Sequence, residues 1–244
     1  MNRVELIGIE GLPEVRPGDD LASLIADKTD LVQNDVLVVA QKVVSKAEGR
    51  VVRLADVTAG HEAKRIAPRL VANPDPRMVQ VVLDESVRVL RADRVLITET
   101  RHGFVCANAG VDHSNVGHGS LTLLPLDPDA SANRLCARLR DLTHADVGVI
   151  VSDTFGRPWR LGIVNVALGV AGLAALVDLR GTNDDAGEPL HATVIAVADE
   201  VAAAAGLVMR KTARTPAVVV RGLSIEGTGS GRELIRPPAE DLFR

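Results

Sequence analysis

Val149, Ile150 and Val151 form a short apolar run that stops at Ser152-Asp153-Thr154, and a Gly156-Arg157-Pro158 turn signal follows. A run this short and this apolar reads as a buried strand, the kind that open α/β sheets cover on both faces. Such sheets gather ligands in the crevice beyond the C-terminal ends of their strands. Asp153 offers a hard anionic oxygen to a divalent cation there, and Thr154 a neutral one. Arg157 and Arg160 come next, with forked donors suited to phosphate or carboxylate. The plainer alternative is that Asp153 or Thr154 caps a following helix.

Other apolar runs extend the pattern. Asp35–Ala40 and Ala217–Val220 read as buried strands, and Val4–Ile9 as a first strand. Asp19 or Asp20 caps a short helix to about Lys28, and helical patterns cover His61–Val71, with Pro68 breaking it, and Pro76–Ser86. Val51–Leu54, Val87–Arg91, Val95–Glu99, Phe104–Ala107 and Ser120–Pro125 read as shorter strands, three of them as a meander, so the sheet structure is mixed. Asp127–His144 is an amphipathic helix. Ile163–Val177, rich in Ala and Gly, suits a buried helix or a subunit contact, and Ala192–Met209 a further helix. The expected class is α/β with mixed-sheet, α+β character over residues 1–244, as one domain or as two subdomains sharing one active site.

Three further stretches carry chemistry. Lys42 and Lys46, four apart, share a face if Gln41–Arg50 turns helically, and could hold polyphosphate or form an ordinary solvated patch. Asn108–Asn115 is polar and turn-rich; Asp112 could ligate a metal and Asn115 could bond a base, ribose or phosphate, or both could be turn chemistry. His113 and His118 lack a third partner of zinc type. Gly227-Thr228-Gly229-Ser230-Gly231, flanked by Arg232 and Arg236, could bring backbone N–H groups close to phosphate or act as a linker, but it is no P-loop.

Composition removes several function classes. The net charge is −4 and the 28 basic residues are scattered, which offers no footprint for nucleic acid. Phe104, Phe155, Phe243 and Trp159 are the only aromatic residues, too few for base-stacking platforms. Cys106 and Cys136 make no disulfide framework, and no segment has signal-peptide or membrane-spanning character, so a cytoplasmic setting without membrane contact is expected.

Taken together and in order, GLPE near the N-terminus, KVVSKAEGR, NAGVDHSN, VSDTFGRPWRLG and the terminal IRPPAEDLF resemble the coenzyme F420-0:L-glutamate ligases. The resemblance runs from about residue 4 to the C-terminus. With Arg244 immediately after these motifs, it is to the stand-alone ligase or to the ligase domain of the form fused to a flavin-reductase-like domain. It implies a family-specific fold, neither Rossmann nor P-loop, assembled as a homodimer. It also implies GTP as co-substrate and Mn2+ or Mg2+, two ions in all. Asp112, Asp153, Thr154 and Glu226 correspond to metal ligands. Leu12, Pro13, Glu14, Val15, Lys42, Lys46 and Asn115 correspond to GTP contacts, with Glu226, Gly227, Thr228, Gly229, Ser230, Gly231, Arg232 and Glu233 closing over the phosphates. Many members carry Ser where this chain has Gln41, so a nucleotide contact there would use the amide or the backbone.

Asp112, Asp153, Lys46 and Arg157 are the catalytic candidates. The expected reaction phosphorylates the terminal carboxylate of F420-0 and lets the α-amine of glutamate displace phosphate, by positioning and charge neutralisation. Alternatives are another nucleotide-dependent carboxylate–amine ligase, a non-catalytic nucleotide-binding module, and a metal-dependent phosphohydrolase.

Overall fold

A computed structural model describes residues 3–71, 73–114, 116–210 and 214–241. The strands are β1 (Glu5–Gly8), β2 (Val36–Ala40), β3 (Val51–Arg53), β4 (Ser86–Asp93), β5 (Val95–Thr100), β6 (Val105–Ala107), β7 (Ser120–Thr122), β8 (Gly148–Arg157), β9 (Arg160–Ala171), β10 (Val177–Asp178), β11 (Val194–Ile195) and β12 (Ala217–Arg221). The α-helices are α1 (Leu21–Ala26), α2 (Gln41–Ala47), α3 (His61–Ile66), α4 (Pro76–Asp84), α5 (Pro128–Thr143) and α6 (Val197–Met209).

Five strands form the main sheet in the order β1-β12-β2-β8-β9. In it β2 and β8 run parallel and the other neighbours antiparallel. Side chains alternate across the sheet, so both sets of each central strand must be apolar if both faces are covered. Leu37, Val39, Val149, Val151 and Val219 face α1 and α5, packing on Ile25, Leu135 and Leu139. Val36, Val38, Ile150, Val218 and Val220 face the other way, onto Ala198, Ala202 and Ala205 of α6. The mixed α/β class is therefore realised as expected.

The chain from β3 to β7, whose two end strands pair antiparallel, supplies a second packing centre. Ala63 and Ile66 of α3, Val79 and Val82 of α4, Leu96 of β5 and Leu121 of β7 close on one another there, β5 being the middle strand of the antiparallel meander β4-β5-β6. Pro68 ends α3 in a single 3-10 turn, Ala67–Arg69. Among the described residues no helix is long and apolar enough to cross a membrane.

The reading of Ile163–Val177 as a buried helix is corrected. Most of it is strand β9, paired antiparallel with β8. An apolar run without clear alternation cannot be assigned by period alone, and the Ala and Gly content favoured the wrong choice. The turn signal at Gly156–Pro158 also comes later than expected, because β8 continues to Arg157. β2 ends opposite Ser152, where Ala40 is paired, so from Asp153 onward β8 and β9 project as a two-stranded arm. Phe155 anchors that arm edge-on to Phe104, with ring centroids 6.1 Å apart. Its tip is exposed to solvent: Trp159 is 84% exposed, Leu161 98% and Ile163 54%.

Candidate active site

The sheet topology brings four chain segments to one edge. β2 and β8 are parallel, so the residues after β2 and the outer part of β8 lie side by side. β12 is antiparallel to β2, which places its N-terminal approach at the same edge: Ala217 pairs with Val39, and the N–H of Ala40 donates to the carbonyl of Pro216 at 2.8 Å. β1 leaves the sheet there too, with the N–H of Ile9 donating to the Ala217 carbonyl at 2.9 Å. The cavity at this edge measures about 920 Å³.

Leu12, Pro13, Glu14 and Val15 form one wall, Gln41, Lys42 and Lys46 of α2 a second, and Asp153 and Thr154 of β8 a third. Asp112 and Ser114 close the space from the loop after β6. The acids at positions 112 and 153, distant in sequence, thus line one cavity. Asn115 lies outside the described residues.

Lys42 and Lys46 do share a helical face, and they divide the work. Lys42 reaches the second packing centre: its Nζ donates to Asp112 Oδ2 at 2.8 Å, to the Ser114 carbonyl at 2.7 Å and to Ser114 Oγ at 2.6 Å. Ser114 completes the knot by donating its N–H to Asp112 Oδ1 at 2.6 Å. Burial pushes the Asp112 carboxyl up, but the Lys42 ammonium and the Ser114 donors outweigh it and hold the group below the usual carboxylate range. Lys46, largely buried, pairs with Glu14 of the N-terminal loop. Gln41 lines the cavity, yet its Oε1 accepts from Ser45 Oγ at 2.8 Å within α2.

The donor set defines what the cavity can hold. Asp112, Asp153 and Thr154 present hard oxygens, which suit Mg2+ or Mn2+ and not a soft metal. No group of three or more His, Cys, Asp or Glu that could cage an ion occurs among the described residues. An ion here would therefore need phosphate oxygens to finish its shell, which is the usual habit of Mg2+ beside a nucleotide. Ser152, 1% exposed and on the cavity wall, has a hydroxyl with no hydrogen-bond partner among the described residues. A thiol nucleophile is not on offer, since burial, reinforced by the Asp153 charge, pushes Cys106 up to about 12.

Two groups of expected residues are not brought to this cavity within the chain. Arg157 sits near the tip of the arm, exposed, donating to the Leu161 carbonyl at 3.0 Å. The Glu226–Glu233 loop lies instead against the far half of β9. Gly231 donates its N–H to Asp129 Oδ1 at 2.6 Å, and a Cβ on it would stand 2.1 Å from the Leu168 carbonyl oxygen. Gly229 is as tightly placed, 2.4 Å from the Ala175 nitrogen by the same measure. Ser230 and Glu233 cap a 3-10 turn, and Glu226 is exposed. The glycines are there because backbone meets backbone, and Arg232 and Thr228 do not line the cavity either.

Sequence reading missed Ser114, Ser152, Asn165, Arg210, Arg214 and Thr215, all of which line the cavity. A usable signal existed for the last two: an arginine and a hydroxyl stand just before the buried strand β12, and antiparallel pairing with β2 aims such a segment at the C-terminal end of β2.

Comparison with known proteins is consistent across the chain. Residues 10–222 match the family model described as F420-0:Gamma-glutamyl ligase, which stops short of the Glu226–Glu233 loop. The coenzyme F420:L-glutamate ligase of Methanothermobacter thermautotrophicus is 45% identical over 251 residues, spanning 99% of this chain and 99% of that protein. Proteins of the same name from Methanopyrus kandleri and Archaeoglobus fulgidus are each 47% identical, spanning 99% of this chain and 97% of theirs.

Proposed function

The chain belongs to the F420-0:gamma-glutamyl ligase family, and from that premise we propose that it joins L-glutamate to the terminal carboxylate of F420-0 at the expense of GTP. The observation that carries this reading is the single cavity at the sheet edge, where carboxylates, lysines and arginines from five segments converge.

A carboxylate does not condense with an amine at neutral pH until its oxygen becomes a leaving group. In the proposed sequence the F420-0 carboxylate attacks the γ-phosphorus of GTP, GDP departs, and an acyl phosphate results. The deprotonated α-amine of glutamate then attacks the acyl carbon and inorganic phosphate leaves, giving the amide. Little covalent chemistry falls to the protein; its task is to position the two carboxyl-bearing molecules and to offset charge. Lys42, Lys46, Arg210 and Arg214 surround the cavity with cations suited to the phosphates. Asp112, Asp153 and Thr154 would hold Mg2+ or Mn2+, which supplies charge neutralisation on the phosphate oxygens when bound. The Leu12–Val15 loop, Arg210 and the Arg214–Pro216 approach to β12 flank the site and would contact the nucleotide.

Assembly as a homodimer is part of the same reading. The solvent exposure of Trp159, Leu161 and Ile163 toward the end of a two-stranded arm supports it, because large apolar side chains grouped on a projection mark a contact surface.

Mass spectrometry of F420-0 incubated with the protein, glutamate, Mn2+ and GTP tests the reaction. The expected product is F420-0 enlarged by one or more glutamyl units, with GDP and phosphate formed in step. Phosphate release without the enlarged product would replace the ligase with a phosphohydrolase.

A further inference from the structure

A second cavity, of about 680 Å³, opens in the other packing centre, and the function proposed above makes no use of it. Its floor is apolar: Leu70, Val79, Val82, Leu96 and Leu121 are each at most 8% exposed, and Met78 completes the surface. Polar groups stand around the floor, Arg94, Asn108, His113 and His118 among them. Arg94 is held on its turn at a φ of 61°. Its guanidinium and the two imidazoles make no side-chain hydrogen bond or ion pair among the described residues. A few hundred cubic ångströms of apolar space with a few uncommitted polar groups at its margin suits a small molecule, not a peptide.

The position of this cavity says which small molecule. Residues 108–114 and 116–120 form a partition between the two cavities. Asp112 and Ser114 face the site at the sheet edge, whereas Asn108, His113 and the segment from Val116 to Leu121 face the second cavity. The three hydrogen bonds from Lys42 to Asp112 and Ser114 fasten this partition to α2. A ligand lying over the partition would have one end among lysines and carboxylates and the other end in an apolar pocket. That is the demand made by an acceptor with a reacting carboxylate at one end and a flat, fused heteroaromatic ring at the other.

We infer that the second cavity seats the ring end of the acceptor. This rests on the acceptor being F420-0, whose ring is a deazaflavin. The ring faces lie on Leu70, Met78 and Leu96, and Arg94, Asn108 and the two histidines pair with its heteroatom edge and polar side chain. The cavity is thus the element that selects the acceptor, separate from the residues that handle phosphate. His113 acquires a role here that its sequence context, lacking a third zinc-type partner, did not suggest.

Equilibrium binding to the full chain tests this. The probes are F420-0, the same deazaflavin nucleoside without the phospholactyl group, and GTP. Met78→Trp fills the cavity and Arg94→Glu reverses charge at its exposed margin, so one variant survives if the other misfolds. The expected result is that each weakens both deazaflavin probes by about tenfold or more and leaves GTP binding within about twofold of wild type. Wild-type affinity for F420-0 in both folded variants overturns the pocket while leaving the acceptor in place. Wild-type protein that binds GTP but neither deazaflavin overturns the acceptor and the pocket together.

Discussion

Asp153 leaves the sheet at the residue where its neighbour β2 has just ended, so its carboxylate stands at an open edge with Asp112 on another wall. A preorganised charge in such a place acts on the transition state more than on stability. Asp153→Asn is therefore expected to lower kcat/KM for glutamate transfer by about 2–4 kcal/mol of transition-state stabilisation, roughly thirtyfold to a thousandfold. The check is the initial rate at saturating Mn2+ and GTP; near-normal turnover would remove Asp153 from the chemistry. Asp112 behaves differently because Lys42 already holds it ionised. Its folded-state value lies below the ordinary 3.8, so the stability it contributes is present above that value and fades as pH falls through the lowered one. Both acids were legible in the sequence, each following an apolar strand in a turn-rich segment. Ser114 and Ser152 were not, since a serine beside an acid has no pattern of its own.

At the scale of the element, β9 and the glycine loop explain each other. β9 is an edge strand, and an edge leaves backbone donors to be satisfied. Asp199 at the start of α6 accepts from the Ala167 N–H at 2.8 Å, beside the bulge in β9 opposite Ser152. Asp129 accepts from both the Val170 N–H at 2.9 Å and the Gly231 N–H at 2.6 Å, tying the loop down. Gly231→Ala forces a methyl group against the Leu168 carbonyl and is expected to destabilise by about 1–3 kcal/mol; Asp129→Ala, which strands two donors, costs about as much. Thermal unfolding reads the loss, and GTP affinity should stay near that of wild type. Lost nucleotide affinity with an unchanged Tm would return the loop to the phosphates. The sequence left this open because GTGSG describes equally a loop pressed on a neighbour and a loop around an anion. In the same way Ile163–Val177 has too little alternation to declare a strand. Long elements with caps, such as α5 with Asp127 before it, were readable as they stand.

For the whole molecule, the arm and the partition are the features that reach beyond one core. The arm tip holds Trp159 and Leu161 at 84% and 98% exposure, and replacing side chains this exposed should leave the fold alone. Trp159→Asp combined with Leu161→Asp is expected to convert a dimer to a monomer in sedimentation velocity, with Tm close to wild type. A dimer that persists would move the contact elsewhere. The general α/β class was legible because buried strands announce themselves, whereas the second cavity was invisible in sequence: its floor comes from Leu70 and from α4, β5 and β7, four separate stretches.

The bond from Lys42 to Asp112 joins the two cores across open space. A hollow walled by carboxylates alone would repel itself whenever it stood empty. The tethered Lys42 ammonium serves as an internal counterion to Asp112, so this wall of the cavity is charge-balanced within the chain itself. In the proposed reaction a divalent ion entering at Asp112 would have to compete with the Lys42 ammonium, and the lysine it displaced would stand beside the incoming phosphate.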